Sequence, residues 1–349
     1  MNMKRIIYFD LLRIIAIVAV IFVHISGQNW YAANVHSYEW NVYNVFDAIS
    51  RFGVPIFVMI SGALFLSKEQ SITKIFKKNI LKIAVIFFVW SLIYTLYQLF
   101  VQQTIATPVD FVLSFLKGPY HFWFLFMIVG LYIVTPLLRK IVVDDKMLKY
   151  FLLLALIFAF IIPKSIDLID LGLPRVADTL SYIVDSTKVN LVLGYSGYFV
   201  LGYLLNKIRI SKKAEYIIYA LGVFGAIFTI IATMLMSGYK NSADTFFYKN
   251  LTINVLFEAI AVFVFFKQHL NKRVKRKTEK KILFLSKCTL GIYLVHPLII
   301  FVLNDAFGLN TASFNPILSI PILVVLVASI SLTISAILNK IPFIKKWVI

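Results

Sequence analysis

Ten apolar runs, each long enough to cross a bilayer, dominate this sequence of 349 residues. A hydrocarbon core about 30 Å thick needs roughly 20 apolar residues in a helix, and lipid leaves the backbone no other partner. We therefore predict an all-α polytopic membrane bundle of about ten transmembrane helices, and we expect Pro163 to end the fifth early. The predicted spans are 6–27, 43–67, 79–103, 121–143, 147–163, 190–208, 214–236, 251–267, 281–304 and 316–339.

Composition excludes a soluble globule, since 60% of the residues are hydrophobic and 15% are charged. Soluble domains have about 45–50% and 25%. The first run is too long for a signal-peptide core and carries Asp10 and Arg13, so we interpret it as a retained span. The longest segment between spans is 164–189, which is too short for a domain. We predict one integral-membrane domain over 1–349, with no separate soluble domain.

The net charge of +19 follows the predicted topology. If the N-terminus is cytoplasmic, 26 of the 35 Lys and Arg residues fall in cytoplasmic segments, which is the bias that orients membrane proteins. Both termini are therefore predicted to be cytoplasmic, and no nucleic-acid partner is needed to explain the charge. The basic stretch Lys267–Lys281 is consistent with a topology signal that contacts anionic lipids, or with a coenzyme A phosphate site; the first is favoured.

Cysteine and histidine usage favours neither a disulfide nor a metal site. Cys288 is the single cysteine, and the five histidines show no paired metal-ligand spacing. The Lys-, Ile- and Asn-rich composition is typical of a low-GC bacterium, so we expect a bacterial plasma membrane.

Ionisable side chains inside spans are costly, which makes each of them a functional candidate. The first span places Asp10, Arg13 and His24 on one helical face. Asp10 and Arg13 have the i,i+3 spacing of a structural ion pair, and that interpretation stays open beside a functional one. His24 is consistent with a buried core histidine or with a general acid or base. The full set is Asp10, Arg13, His24, Asp47, Arg51, Glu258, Lys287 and His296, with His121 at a span edge.

Depth along the predicted spans groups several of these residues. Counting 1.5 Å per residue from the outer ends, His24, Arg51, Glu258, His296 and His121 fall in one layer of the outer half. They come from five different spans. We therefore predict a polar site in that layer.

Four segments of the chain resemble the integral-membrane acyltransferase-3 family. The segment Tyr8–His24 has an arginine and a histidine separated by ten residues, and the segment Tyr120–Leu138 has the pattern H-x-W-F-L followed by T-P-L. A weaker fifth segment is GYFVLGYLL (Gly197–Leu205). The four are YFDLLRIIAIVAVIFVH (Tyr8–His24), SRFGVPIFVMISGALFL (Ser50–Leu66), LSKCTLGIYLVHPLI (Leu285–Ile299) and YHFWFLFMIVGLYIVTPLL (Tyr120–Leu138).

The resemblance implies an O-acyltransferase that uses cytoplasmic acyl-CoA to modify cell-surface glycans. It implies that His24 is the catalytic residue, that Asp10 and Arg13 belong to the first-span signature, and that Arg51 is the basic residue before the V-P-x-F pattern. Many members carry a fused extracellular esterase-like domain. We expect none here, which leaves open whether a separate extracellular transferase takes part.

The expected chemistry is acyl transfer, most simply from acetyl-CoA, with no metal. His24 would act as general base or carry the acyl group, Arg51 and His121 would stabilise the oxyanion, and Glu258 would orient His24. The residues expected to bind substrate or donor are His121, His296, Trp123, Asp10 and Arg13. Trp30, Trp40 and Trp123 fit an interfacial belt, and Trp30 and Trp40 also fit a sugar site.

Two other classes remain open. A polytopic glycosyltransferase or glycan polymerase would use Glu39 or Asp47 as its base, but it leaves His24 unexplained. A transporter or flippase of polysaccharide precursors would use the same buried charges, but neither an inverted repeat nor a pair of Pro/Gly-broken spans is visible. The sequence identifies neither the glycan acceptor nor the acyl group, and succinyl fits as well as acetyl.

Overall fold

The computed structural model describes residues 6–186, 190–271 and 274–349, without the side chains of residues 190–192. Within these residues the regular structure is helical and contains no strand. π-Helical turns at Ile75–Ile80, Gln98–Gln102 and Leu156–Ile161 and 3-10 turns at Tyr120–Phe122 and Phe246–Tyr248 join these helices. The α-helices are α1 (Ile7–Ser26), α2 (Tyr38–Ala48), α3 (Gly53–Leu66), α4 (Ile72–Lys74), α5 (Leu81–Tyr97), α6 (Pro108–Lys117), α7 (Trp123–Val143), α8 (Asp145–Ala155), α9 (Ile162–Asp170), α10 (Pro174–Ser186), α11 (Asn190–Lys207), α12 (Lys212–Lys240), α13 (Ile253–His269), α14 (Arg276–Phe307), α15 (Pro316–Leu338) and α16 (Pro342–Trp347).

The predicted all-α membrane fold is confirmed. In the described residues, nine helical segments are long and apolar enough to cross a membrane. The tenth predicted span, 190–208, coincides with α11, which follows directly on residues 187–189 that the structure does not describe. The cytoplasmic placement of both termini stays a prediction. The nine segments are Ile7–Ser26, Tyr38–Leu66, Ile72–Gln102, Tyr120–Val143, Asp145–Asp170, Lys212–Lys240, Phe246–His269, Arg276–Phe307 and Pro316–Leu338.

The second span is broken in its middle. Helix α2 ends at Ala48 and α3 begins at Gly53, and the four residues between them form turns. The sequence analysis predicted one continuous span over 43–67 and did not predict this break. Non-helical backbone at membrane depth is tolerated only where protein or a watery cavity satisfies it. The break therefore marks a place where the helices surround polar groups.

The expectation that Pro163 ends the fifth span is wrong. Helical structure continues from Asp145 to Asp170, and Pro163 lies in the first turn of α9. A proline clashes with the carbonyl four residues earlier in an ordinary α-helix. The π-helical turn Leu156–Ile161 comes directly before α9 and shifts the hydrogen-bond register there. The span is thereby longer than the sequence predicted.

The chain divides into two compact units. The first contains residues 6–69 and 135–279, and the second contains 70–134 and 280–349. In the first unit α3 and α11 cross at glycines. A Cβ on Gly62 would lie 1.7 Å from the Phe199 carbonyl oxygen, and one on Gly202 would lie 2.1 Å from the Met59 carbonyl oxygen. The two backbones thus touch. The single domain predicted over 1–349 stays a prediction.

In the second unit a tyrosine bridges a proline kink. Pro297 lies inside α14 and interrupts its hydrogen-bond ladder. The Tyr94 hydroxyl donates to the Leu294 carbonyl at 2.9 Å and accepts from the Leu298 amide at 3.0 Å. Tyr94 is itself 2% exposed. Its hydroxyl takes the place of the direct backbone bond between these two residues.

Candidate active site

Helix α1 carries the first group of predicted residues. Arg13 Nη1 donates to Asp10 Oδ1 at 3.1 Å, and Asp10 is buried at 3% exposure. The ion pair indicated by the i,i+3 spacing is present. His24 lies near the C-terminal end of α1 and is half-buried. The structure thus keeps the imidazole well separated along the helix from the ion pair.

Arg51 lies in the break between α2 and α3. Its Nε donates to the carboxylate of Asp47, one turn earlier, and its Nη1 donates to the Tyr248 carbonyl at 3.3 Å. The guanidinium carbon sits 4.1 Å from the centre of the Tyr248 ring, a cation–π contact. Among the described residues Nη2 has no hydrogen-bond partner. Asp47 and Tyr248 therefore orient the guanidinium and leave one edge for a ligand.

Tyr248 is held from two further helices. It is 1% exposed, and its hydroxyl donates to the side-chain oxygen of Asn44 on α2. The Asn44 amide in turn donates to the Ile230 carbonyl of α12 at 2.9 Å. The ring of Trp30 lies 5.1 Å from the Tyr248 ring. These contacts fix the 3-10 turn Phe246–Tyr248 against the broken span, which makes the frame around Arg51 rigid.

Glu258 lies on α13 at 4% exposure. Its Oε1 accepts from the Thr229 hydroxyl of α12 at 3.1 Å, and the Asn254 amide donates to both Thr229 Oγ1 and the Phe247 carbonyl at 2.8 Å. Glu258 Oε2 has no hydrogen-bond partner in the described residues. The residue lines a cavity of about 310 Å³ whose other walls are apolar apart from Tyr219. Glu258 is thus an acid in apolar surroundings, within electrostatic range of the Asp47–Arg51 pair.

Contacts along α1 place His24 at the level of Arg51. The Phe22 and Phe46 rings stack with centroids 5.8 Å apart, and Gly53 packs against the middle of α1. As the number rises through α2 and α3, the contacted residue on α1 falls, so the helices are antiparallel. Arg51 lies between Phe46 and Gly53 in the chain. His24 is therefore within about one or two turns, each 5.4 Å, of Arg51 along the α1 axis.

The second unit contains the other predicted histidines. His121 lies in the 3-10 turn Tyr120–Phe122 and His296 on α14; both are buried, with ring centroids 5.8 Å apart. The Tyr293 hydroxyl donates to the His121 carbonyl at 2.7 Å. Trp123 begins α7 and is 40% exposed, as an interfacial residue would be. The structure thus brings His121 and His296 together.

The hydrogen-bond partner of His296 Nδ1 shows which ring nitrogen carries the proton. Nδ1 lies 3.0 Å from the Ile292 carbonyl oxygen, which can only accept. Nδ1 therefore carries the proton, and in the neutral ring Nε2 is the basic nitrogen.

The predicted residues divide between the two units. His24, Arg51 and Glu258 belong to the first, and His121 and His296 belong to the second. Within the first unit the Arg51 frame and the Glu258 network meet at the turn Phe246–Tyr248. The common layer of all five residues stays a prediction.

Four residues of the site were not predicted as members. They are uncharged, so burying them carries none of the cost that marked the charged candidates. One sequence signal was available: Asn254 and Glu258 are four residues apart on one helical face. No sequence signal pointed to the tyrosine. The four residues are Asn44, Thr229, Tyr248 and Asn254.

The basic stretch Lys267–Lys281 begins with a structural contact. Lys267 Nζ donates to the carbonyls of Leu205 and Ile208, at the end of α11, both at 2.5 Å. Lysines commonly satisfy the last carbonyls of a helix. Lys272 and Arg273, which also belong to the stretch, lie outside the described residues. Contact of this stretch with coenzyme A stays untested.

The arrangement suits acid–base and acyl-transfer chemistry. An imidazole, a carboxyl group and an oriented guanidinium lie in one helical unit, in apolar surroundings where electrostatic interactions are strong. In the described part of the chain, no three His, Cys, Asp or Glu side chains are grouped to hold a metal ion.

The fold and the buried polar groups define a polytopic helical membrane protein with a candidate site among its helices. The family model described as an acyltransferase domain, of acyltransferase type 3, matches residues 6–338. The chain belongs to the acyltransferase-3 family. No curated protein and no solved structure gives a significant match.

Proposed function

We propose that the protein is an O-acyltransferase of a bacterial plasma membrane that moves an acyl group from cytoplasmic acyl-CoA to a hydroxyl of a cell-surface or lipid-linked glycan. Acetyl-CoA is the simplest donor. The observation that carries the proposal is Arg51 in the broken second span, oriented by Asp47 and Tyr248. A preorganised cation in a low-dielectric site is what a developing oxyanion requires.

In the proposed reaction His24 takes the proton of the acceptor hydroxyl as the new C–O bond forms at the thioester carbonyl. The tetrahedral oxyanion lies against the open Nη2 edge of Arg51. The C–S bond then breaks, and the coenzyme A thiolate takes the proton from the imidazolium. His24 has a second possible role as acyl carrier: the imidazole nitrogen attacks the thioester carbonyl and the C–S bond breaks to release coenzyme A. The acceptor hydroxyl then attacks the acyl-imidazole, the C–N bond breaks, and the released imidazole takes the hydroxyl proton.

The remaining predicted residues take supporting roles in this proposal. Glu258 orients or charge-stabilises His24, and its presence in the same helical unit supports this role. His121 contributes a second oxyanion donor, while His296 and Trp123 contact substrate. Asp10 and Arg13, at the predicted cytoplasmic end of α1, contact the donor.

The glycosyltransferase alternative needs Glu39 or Asp47 as a base. Asp47 loses support for this role, because its side chain is 3% exposed and its carboxylate accepts from Arg51. Glu39 is exposed on α2 and stays the candidate base of that alternative. Asp47 fits a positioning role, which agrees with acyl transfer.

The proposal is tested with purified protein in lipid nanodiscs, isotope-labelled acetyl-CoA and an oligosaccharide extract as acceptor. Ester-linked label on sugar is measured by mass spectrometry. The wild-type protein should acetylate sugar, and His24→Ala should lose at least roughly 100-fold in rate, the usual share of a general base. Circular dichroism and gel filtration of the variant should match the wild type. Undiminished transfer by a folded His24→Ala variant would contradict the mechanism.

A further inference from the structure

A second cavity lies beside the candidate active site in the first unit. Its volume is about 220 Å³, and its walls come from the fifth span, α12, the turn Phe246–Tyr248 and α13. The polar residues among its walls are Lys164, Thr252 and Asn254. Such a lining suits a hydrocarbon chain. Six phenylalanines line it: Phe160, Phe224, Phe228, Phe246, Phe247 and Phe257.

The cavity carries an excess of positive charge at its edge. Lys164 Nζ lies 4.3 Å from the centre of the Phe246 ring and pairs with Asp167 at 2.5 Å. The ammonium group of the exposed Lys249 lies beside that of Lys164. Ammonium groups only donate, so neither lysine satisfies the other. Two cations facing one carboxylate leave one positive charge, which a phosphate would neutralise.

The π-helical turn in the fifth span builds this cavity. Phe160 lies inside Leu156–Ile161 and Lys164 follows four residues later, so both side chains line the same space. π-Helical turns inside α-helices occur frequently at functional sites. The irregularity that lets Pro163 continue the span thus also places an aromatic ring and a cation together.

One wall of the cavity is shared with the site. Asn254 lines the cavity, and its amide donates to Thr229, the partner of Glu258, and to the Phe247 carbonyl. Tyr248, which follows Phe247, is the residue stacked on Arg51. The cavity wall is therefore connected to Glu258 through Asn254 and Thr229, and to Arg51 through Phe247 and Tyr248.

We propose that this cavity binds the lipid anchor of a lipid-linked acceptor, with its hydrocarbon chain among the phenylalanines and its phosphate between Lys164 and Lys249. The inference rests on the proposed function and adds where its acceptor is held. The volume lies below the roughly 300–1,000 Å³ of usual ligand pockets, so it takes one chain and not the two of a phospholipid. The phosphate at the edge then places the attached sugar toward Arg51.

Binding of farnesyl phosphate to the full chain in phosphatidylcholine nanodiscs tests the proposal, with farnesol and inorganic phosphate as separate probes. Farnesyl phosphate should bind at least roughly tenfold more tightly than either, since charged hydrogen bonds and apolar burial both contribute. The double variant Lys164→Gln/Lys249→Gln should lose about tenfold in affinity. Phe228→Ala should weaken the binding of farnesyl phosphate, although this substitution leaves the charge of the protein unchanged.

The matched control is Lys240→Gln, because Lys240 pairs with Asp244 nearby in the chain and does not line the cavity. Its affinity should equal that of the wild type. Four results would each overturn the proposal. The control could lose as much affinity for farnesyl phosphate as the double variant, or the double variant could bind it as tightly as the wild type. Inorganic phosphate could bind as tightly as farnesyl phosphate, or phosphatidylglycerol could displace farnesyl phosphate fully. The assay contains no acyl-CoA, so a failure of acyl transfer leaves its result unaffected and the two proposals fail separately.

Discussion

Replacing Asp47 tests whether the carboxylate acts through Arg51. The Asp47 side chain is 3% exposed and that of Arg51 is 19% exposed, so the pair is largely buried. Removing one partner of a buried ion pair lowers the free energy of unfolding by about 3–5 kcal/mol. We expect a loss of about 3 kcal/mol for Asp47→Ala, because the Arg51 side chain stays partly exposed to solvent. Asp47→Asn retains an oxygen that accepts from Arg51 Nε. Since a charge-assisted hydrogen bond is about twice as strong as a neutral one, Asp47→Asn should cost about 1 kcal/mol.

The catalytic effects should follow the same order. Arg51→Gln should lower kcat by about 10²–10³, the cost of removing an oxyanion donor. Asp47→Asn should lower kcat by about tenfold and Asp47→Ala by more. Both losses should be smaller than that of Arg51→Gln, since a loosened guanidinium still reaches the oxyanion part of the time. In an Arg51→Gln background, Asp47→Ala should cause no further loss, because both changes remove one function.

The assay combines coenzyme A thiol release with thermal unfolding in detergent. Asp145→Asn is the matched control, because Asp145 pairs with Lys207 at 2.8 Å with both side chains exposed. Exposed pairs contribute about 0–1 kcal/mol, so the control should change neither readout appreciably. If Asp47→Asn is as inactive as Arg51→Gln, or if the two changes multiply in the double variant, Asp47 has its own chemistry and the positioning role is refuted.

Three further changes test other contacts. Gly62→Ala should destabilise by at least 1–3 kcal/mol, because its Cβ meets the Phe199 backbone, whereas Gly130→Ala, with open space, should not; thermal unfolding compares them. Glu258→Gln keeps an oxygen for Thr229 and should retain stability while lowering kcat about tenfold, and unchanged turnover would remove Glu258 from the mechanism. Tyr94→Phe should cost about 1–3 kcal/mol by unpairing the buried Leu294 carbonyl, and unchanged unfolding would show another partner there.

The membrane-spanning architecture was predictable because lipid imposes it. A continuous apolar run of about 20 residues crosses a bilayer as a helix that satisfies its own backbone hydrogen bonds, so these runs predicted the fold class and most spans to within a few residues. The Asp10–Arg13 pair followed from its spacing. The break around Arg51 was not predicted, although polar residues of α2 precede it and Gly53 and Pro55 follow it in the sequence.

The interior of the site was harder to predict. Asp47 was considered as a base because its charge stands out in the sequence, while its commitment to Arg51 depends on side-chain packing. Thr229 and Tyr248 belong to other helical segments, and only tertiary contacts bring them to Glu258 and Arg51. Pro163 misled the span boundary because the compensating π-helical turn has no simple sequence signal.

The most direct measurement is the stoichiometry of acyl transfer by the purified wild-type protein in nanodiscs. Coenzyme A thiol and ester-linked acyl groups on the glycan are quantified in the same reaction, with the acceptor present and omitted. If the protein is an O-acyltransferase, one ester forms per thiol released, and little thiol is released without acceptor. Thiol release with no ester on sugar, or glycan extension with no dependence on acyl-CoA, would show that it is not.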